Sequence, residues 1–285
     1  MASFIASEED PPPRNSLSEV AISEFTDEEI TAVRETKRIL LEEYKLSHSM
    51  LSKRELFIVT INSKLRPETA AKKYKKWLEA MECFGIYSFE DIWKNLLSPG
   101  DELESEWAKL SYNFGAFAGA GRDKQNRSVF WIKSRPVQVA EETLAVRCSC
   151  IYYVALHADL ITLRNGITFV IDTANNSMEK PIGNESKMQR VWQSIPLRPQ
   201  RIFILGAGYI KRMFINTLLS IASLFTSEKV VDRIRFADLE EVKNEVDDAS
   251  LPIYVGGGGG GLLSHDDLLT WIRSRINNIY RVPDI

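Results

Sequence analysis

The stretch "RIFILGAGYIKRMFINTLLSIASLF", residues 201–225, decides how the fold of this chain is interpreted. Its apolar run 202–205 is typical of a buried strand. Two glycines follow, and then a segment that is apolar at most of its positions. The stretch is therefore either the phosphate-binding turn of a nucleotide enzyme or a strand and helix built for an apolar environment.

The glycine spacing argues against a nucleotide-binding turn. The dinucleotide fingerprint requires a third glycine three residues after the second, so that the helix can pack closely on the strand. Here Gly206 and Gly208 are followed at that position by Lys211, and the chain contains no G-x-x-x-x-G-K-[ST] loop. The glycines are interpreted as residues that turn the chain.

The helix predicted over 209–225 has more apolar surface than a helix that covers one sheet requires, which is a stripe about 100° wide. At helical spacing, Arg212, Asn216, Ser220, Ser223 and Ser227 fall within a polar wedge of roughly 80°, and most of the other residues are apolar. Two interpretations stay open: burial between two protein layers, or a gate that shields a lipid from water. The apolar positions of such a gate helix are Ile210, Phe214, Leu218, Ile221 and Phe225.

Composition narrows the class of protein. A formal net charge of −3 over 285 residues argues against a generic nucleic-acid binder. Three cysteines and three histidines fall short of a disulfide framework or a zinc set, so no metal or other cofactor is expected. Without a signal peptide or an apolar run of about 20 residues, the expected location is the cytoplasm, with membranes touched only from outside.

The pattern divides the chain into four parts. Residues 1–25 are expected to form a disordered tail, and 26–112 an α-helical lobe that includes a helix capped by Thr26 and Glu29 and another that begins at Pro67. Residues 113–261 alternate strands with helices, which predicts an α/β domain with a mainly parallel sheet, and 262–285 a terminal helix. The strands are predicted at 128–132, 167–172, 201–205 and 232–236, and one long helix at 141–166.

Five segments of the predicted α/β domain, in order, resemble the CRAL-TRIO lipid-binding domain of phosphatidylinositol, tocopherol and retinaldehyde transfer proteins. "GRDKQNRSVFWI" is similar to the glycine-aspartate-x-x-x-arginine turn into the first strand of that family, and "RNGITFVIDTAN" to the strand that ends in aspartate. "SIPLRPQRIFILGAGYIKRMF" and "TSEKVVDRIRF" resemble the segments around the gate. "ASLPIYVGG" resembles the closing leucine-proline-x-x-x-glycine-glycine signature.

The resemblance implies a sheet that forms the floor of a lipid pocket, closed by a gate helix that coincides with 209–225. A lipid or other lipophilic small molecule is then the expected ligand and partner. Alternation on the strand 167–172 supports this, because every second side chain shares one face. The residues expected to line the pocket are Phe130, Ile132, Tyr153, Ile167, Phe169, Ile171, Val191, Trp192 and Ile204.

Two departures from the family pattern bear on the cargo. Members that bind phosphatidylinositol have a glutamate where this chain has Leu197, and a lysine in the gate where it has Leu219 or Ser223. Burying an inositol phosphate without counter-charge is unfavourable by several kcal/mol. A sterol, retinoid, tocopherol or fatty acyl compound therefore fits better, and another phospholipid stays open.

A separate set of basic residues is expected to contact an anionic membrane. By resemblance to the tocopherol transfer protein, Lys229 and Arg233 occupy positions that bind phosphoinositide headgroups, and Lys211 and Arg212 lie at the start of the gate. The lysine run 72–76 is interpreted as a solvated helix face. Peripheral membrane association is thus expected, whereas no pattern indicates an oligomeric state.

Two other functions are weighed against lipid transfer. An adaptor or lipid sensor would keep the domain but not carry lipid between membranes. An α/β enzyme is disfavoured because neither a G-x-S-x-G elbow nor an H-E-x-x-H pair is present. Asp172, at the end of a predicted strand, is either a catalytic candidate or a turn residue.

Overall fold

The computed structural model describes residues 25–87, 116–117, 121–133, 150, 153–172, 194–206, 233–258, 265–277 and 280–285. No helix within these ranges is long and apolar enough to cross a membrane. All statements on structure below concern these residues.

Three helices form the helical lobe: α1 (Asp27–Glu42), α2 (Lys53–Asn62) and α3 (Pro67–Glu82). Helix α1 begins with the predicted capping box, in which Thr26 and Glu29 exchange side-chain and backbone hydrogen bonds of 2.9 and 3.2 Å. Helix α3 has Pro67 in its first turn, as predicted. Both helices bury one apolar face in the common core of the lobe.

Helix α2 is an element that the sequence pattern does not predict. Every residue from Glu55 to Asn62 is buried, so the helix is enclosed on all sides. A helix in that environment lacks the apolar and polar alternation from which helices are identified. Its β-branched residues also favour strands by intrinsic preference, and tertiary packing overrides that preference here.

The strands form one sheet in the order β1-β2-β3-β4-β5, in which β1 is antiparallel to β2 and the other pairs are parallel. This confirms the predicted α/β fold class, a mainly parallel sheet with helices and a preceding helical lobe. The strands are β1 (Ala116–Phe117), β2 (Ser128–Lys133), β3 (Ile167–Asp172), β4 (Pro199–Leu205) and β5 (Ile234–Ala237).

Two apolar rows lie on one side of the sheet, which we call the front face. The first crosses four strands at Phe130, Phe169, Ile202 and Ile234, and the second crosses β3 to β5 at Ile171, Ile204 and Phe236. The opposite side, the back face, carries Trp131, Val170 and Phe203 in register. It is covered by Val242 and Val246, at helix α5 (Leu239–Glu245), and by Leu251.

The turn before β2 is held by one carboxylate. Asp123 accepts hydrogen bonds from the backbone of Gln125 and Arg127 at 3.0 and 2.9 Å, and from the Arg127 guanidinium at 2.6 Å. Its second oxygen also accepts from the Thr168 hydroxyl at 2.5 Å. An aspartate followed four residues later by an arginine thus closes the turn and ties it to β3.

The prediction of one uninterrupted helix over 141–166 is wrong. The chain leaves the helical conformation at 157–159 and starts a new helix, α4 (Leu160–Asn165). Asp159 has extended backbone angles, and its side chain accepts from the backbone N–H of Thr162 at 2.7 Å. Aspartate competes for backbone donors in this way, which favours helix starts over helix interiors.

Candidate functional site

On β3 and β5, the front face is less covered toward the carboxyl ends of the strands. Along the central strand β3, Ile167 is 0% exposed and Phe169 is 7% exposed. Ile171, at the next position on this face, is partly exposed, whereas Val170 on the back face is 0% exposed. On the edge strand β5 of the described sheet, Phe236 is 42% exposed. Apolar side chains on this face therefore remain accessible.

The amino-terminal end of the front face is closed by apolar side chains. Phe130, Phe169 and Ile202 form a buried cluster with Leu156 and Ile167, and the rings of Phe130 and Phe169 meet edge to face at 5.8 Å between centroids. Leu197, just before β4, packs on this cluster, as does Trp271 of helix α6 (His265–Asn277). Leu197 thus puts an apolar group where the resemblance places a glutamate in phosphatidylinositol-binding members.

The structure brings most of the predicted pocket residues that it describes onto this face. Phe130, Ile167 and Phe169 belong to the cluster, and Ile171 packs against it. Ile204 is 0% exposed and lies beside Ile171 in the register. Tyr153, in contrast, belongs to the core shared with the helical lobe, and its ring lies 4.7 Å from that of His157.

Other predicted site residues lie outside the part of the chain that the structure describes. For Ile132 only the backbone is described, and it pairs with Ile171. The remaining ones are the pocket residues Val191 and Trp192, the basic residues Lys211, Arg212 and Lys229, and the gate positions Ile210, Phe214, Leu218, Ile221 and Phe225.

A basic cluster joins the helical lobe to the start of β4 and β5, and we define it as Lys73, Arg198 and Arg233. Burial and the charge of Arg198 lower the pKa of Lys73, and burial and the charge of Arg233 lower the pKa of Arg198. Arg198 and Arg233 each donate to a backbone carbonyl, of Arg164 and Pro199. No ion pair connects these three side chains to any carboxylate that the structure describes.

The lysine run on α3 is therefore not uniform. Lys72 and Lys76 are exposed, as expected for a solvated face, but Lys73 is partly buried beside the sheet domain. Lys75 lies over the Tyr44 ring at 5.1 Å and pairs with Glu79 at 3.5 Å. Helical spacing alone does not identify which member of the run faces another part of the protein.

A buried polar junction also connects the two parts of the protein. Nδ2 of Asn62 donates to the carbonyl of Pro196 at 2.7 Å and lies 3.0 Å from Nε2 of His157. Because Nδ2 can only donate, Nε2 accepts and the imidazole proton is on Nδ1, which donates to the carbonyl of Tyr153 at 2.7 Å. Burial lowers the pKa of His157 to about 4, although the bond to Tyr153 favours the charged form.

Next to this junction, the carboxylate of Asp159 accepts hydrogen bonds from two arginines. It accepts from Arg275 at 2.5 Å and from Arg122 at 3.0 Å. Burial by itself raises the pKa of Asp159, but the two guanidinium groups and the bonds from Thr162 outweigh it, and the pKa falls to about 2. The carboxylate thus fixes helix α6 to the break at 157–159.

Asp172, for which the sequence leaves a catalytic role and a turn role open, binds a tyrosine on the back face. It is 3% exposed and accepts from the Tyr254 hydroxyl at 2.5 Å, which in turn accepts from Nε1 of Trp131 at 2.7 Å. Burial and the bond to Asp172 raise the pKa of Tyr254. This arrangement gives Asp172 a structural role, tying the end of β3 to the segment 252–255.

Sequence reasoning missed several residues of the site. Leu156, Leu197 and Trp271 pack on the front-face cluster but come from three separate segments, so no local period groups them. Lys73 and Arg198 are far apart in sequence and meet only in the folded chain. Helix α5 could have been predicted from the sequence, because Asp238 and Glu241 have the spacing of a capping box, which the structure shows.

Comparison with known proteins agrees with this geometry. A comparison with the curated proteins finds no similar sequence. A model of the CRAL/TRIO domain family matches residues 114–257, just over half of the chain, which include the whole sheet and the segment that covers its back face. The chain therefore belongs to the CRAL/TRIO domain family, whose domains bind lipophilic small molecules and whose members are typically lipid-binding transfer proteins.

Proposed function

We propose that this protein holds a lipophilic molecule against the front face of its sheet and delivers or presents it at an anionic membrane. The observation that carries the proposal is the accessible apolar surface on a central strand: Ile171 stays partly exposed between two apolar neighbours in the register. Burying such a side chain fully stabilises a protein by about 1.5–3 kcal/mol. A ligand that covers it recovers part of that free energy.

The chemistry of the site favours a weakly polar cargo. The described side chains at the closed end of the front face are aliphatic or aromatic, including Leu197 and Trp271. A charged headgroup enclosed here would lose its hydration without gaining a counter-charge. We propose a sterol, retinoid, tocopherol or fatty acyl compound, or a phospholipid whose headgroup stays in water.

Membrane contact is proposed for the edge strand β5 and the basic cluster beside it. Arg233 precedes the exposed Phe236 by three positions, which is about 10 Å along a strand. An exposed aromatic side chain about 10 Å from a cation suits the interface of an anionic bilayer, where each basic residue contributes about 1 kcal/mol. Lys211, Arg212 and Lys229 would each add a similar contribution. Docking that depends on a few such contributions stays weak enough to be reversible, as transfer requires.

The gate completes the proposal. Residues 209–225 form a helix that covers the lipid pocket on the front face, which we call the lipid slot, while the protein is in water, and that swings away at the membrane. The residues of this helix that face the cargo are Ile210, Phe214, Leu218, Ile221 and Phe225. The support for this is the wide apolar surface of the segment together with membership of the family. No cofactor takes part.

Uptake of a fluorescent fatty acid and a fluorescent sterol by a front-face variant tests the proposal. Ile171→Asp puts a charge beside the cargo and should abolish uptake of whichever probe the wild type binds. The matched control is Ile253→Asp, the same change at a side chain that is 60% exposed outside the front face. Normal uptake by a folded Ile171→Asp variant would contradict the proposal, and circular dichroism checks the fold of both variants.

A further inference from the structure

Trp271 lies outside the segment that matches the family and still contributes to the candidate site. It belongs to helix α6, past the matched range 114–257. Its side chain packs against both the core of the helical lobe and the front-face cluster of Phe130, Leu156, Ile167, Phe169 and Ile202. It is also only partly buried. The indole at this junction covers apolar side chains near the amino-terminal ends of β2 and β3.

The position of Trp271 is fixed by its neighbours on the helix. Arg275, one turn further on, donates to the carbonyls of Ala155 and Leu156 at 2.9 and 3.2 Å and to Asp159 at 2.5 Å. The guanidinium carbon of Arg275 also lies 5.7 Å from the centre of the Trp271 ring. Ile272 is 1% exposed in the lobe core. Helix α6 is thus held against residues 155–159, and the indole is held with it.

The two ends of the front face differ as a result. At the amino-terminal end, cover by Leu156, Leu197 and Trp271 leaves the floor side chains Phe130, Ile167, Phe169 and Ile202 at 7% exposure or less, whereas Ile234 on the edge strand β5 is partly exposed. At the carboxyl end, Ile171 on β3 and Phe236 on β5 remain accessible, although Ile204 between them is 0% exposed. A molecule lying over β3 therefore meets fixed side chains at the amino-terminal end and accessible apolar surface at Ile171.

We infer that Trp271 is the end wall of the lipid slot and sets the longest hydrocarbon chain that the slot accepts. This inference rests on the proposed function and adds a specificity-determining residue to it. Each methylene buried in an apolar site improves affinity by about fourfold, so affinity rises with chain length until the chain meets the wall. Removing the indole lengthens the slot, so longer chains bind the variant more tightly than they bind the wild type.

A homologous series of saturated fatty acids, each two methylenes longer than the last, tests the inference by displacement of a fluorescent fatty acid. In the wild type, affinity should stop rising at one chain length. In Trp271→Ala it should continue to rise to longer chains, by about fourfold per added methylene. Trp271→Leu retains part of the volume and should shift the limit less.

An unchanged limit in both variants, with fatty acids still bound, would overturn the inference and leave the proposed function standing. A wild type that binds none of the series would also overturn it, whereas the proposed function fails only if no lipophilic molecule of any class binds. Where Trp271→Ala does not fold, contact is measured through the fluorescence quenching caused by a bound brominated fatty acid. Trp271→Phe should lower the quenched fraction, and Trp131→Phe, on the back face, should not. Equal quenched fractions in the two variants and the wild type would contradict contact.

Discussion

Asn62 donates a hydrogen bond to Nε2 of His157 across 3.0 Å, and this bond joins helix α2 of the helical lobe to the segment before β3. Both side chains are buried, at 5% and 0% exposure. The bond requires a neutral imidazole, because a protonated Nε2 would point a proton at the amide N–H. The packing of the helical lobe on the sheet domain is therefore sensitive to acid.

We predict that the free energy of unfolding decreases as the pH falls from about 6.5 towards 4. The pKa of His157 is about 4 when folded, below the ordinary histidine value of 6.5, so the unfolded chain binds the proton more tightly in this range. The contribution is fully present above pH 6.5 and is lost as the pH falls towards the folded pKa, with a total of about 3 kcal/mol. Urea unfolding at several pH values measures it.

The variants for this test are His157→Gln and His48→Gln. The first should be less stable than the wild type at pH 7.5 but lose less stability between pH 6.5 and 4.5. The second replaces an exposed histidine and should keep the pH dependence of the wild type. Equal pH dependence in wild type and His157→Gln would show that the imidazole is not the group responsible.

Glu29 should be important for stability because it has two roles. Its carboxylate completes the capping box of α1 and also receives Arg164 through two hydrogen bonds of 2.7 and 2.8 Å. Glu29→Ala removes both and should destabilise the protein by about 2 kcal/mol, whereas Glu29→Gln keeps the cap and should lose about 1 kcal/mol. Thermal unfolding measures which of the two variants is less stable.

The control for Glu29 is Glu35→Gln, which removes an exposed partner of Arg38 on the same helix. Its Tm should equal that of the wild type, because exposed ion pairs contribute little. A Glu29→Ala variant as stable as Glu35→Gln would mean that the contact between α1 and Arg164 contributes nothing to the stability of the fold.

Two adjacent glycines after the 3₁₀ turn Ile253–Val255 should respond differently to alanine. A Cβ at Gly257 would lie 2.2 Å from the carbonyl oxygen of Leu251 and 2.5 Å from its carbonyl carbon, so the backbone of Leu251 would have to shift. A Cβ at Gly258 would meet nothing closer than 3.9 Å. Gly257→Ala should therefore destabilise by about 1–3 kcal/mol or more.

Gly258→Ala is the matched control and should leave the Tm nearly unchanged. Chemical unfolding of both variants checks the prediction. Equal effects would show that the close approach of Gly257 to Leu251 is not maintained in solution.

Charge reversal in the basic cluster should weaken binding to anionic vesicles. Lys73→Glu and Arg233→Glu should each reduce sedimentation with phosphatidylcholine vesicles that contain phosphoinositide, because each reverses one charge of the cluster formed by Lys73, Arg198 and Arg233. Lys72→Glu is the control: it makes the same change one position earlier on α3, at an exposed lysine. A loss that is equal for Lys72 and Lys73 would indicate general electrostatic attraction and no specific surface.

Local patterns predict some elements of this protein well. The alternation of Ile167, Phe169 and Ile171 identifies both β3 and its apolar face, because strand side chains alternate whatever surrounds them. The Thr26 and Glu29 capping box and the first-turn Pro67 identify α1 and α3 for the same reason. In these cases the cause of the structure lies within a few residues.

The rest depends on contacts between distant segments. Nothing near Asn62 indicates that its amide meets His157, and the break at Asp159 becomes necessary only once Arg122 and Arg275 surround that carboxylate. Trp271 has the pattern of an ordinary helix residue until α6 is placed against the sheet. Side chains that complete the site from outside its local motifs therefore escape sequence reasoning.

The most direct test of the account is the mass of the intact protein purified under native conditions, followed by extraction and identification of any lipid. We predict one lipophilic molecule per chain in the wild type and much less in Ile171→Asp, with the Ile253→Asp control loaded like the wild type. Wild-type protein that is free of lipid and takes up none from mixed vesicles would contradict the claim that the front face is a lipid-binding floor.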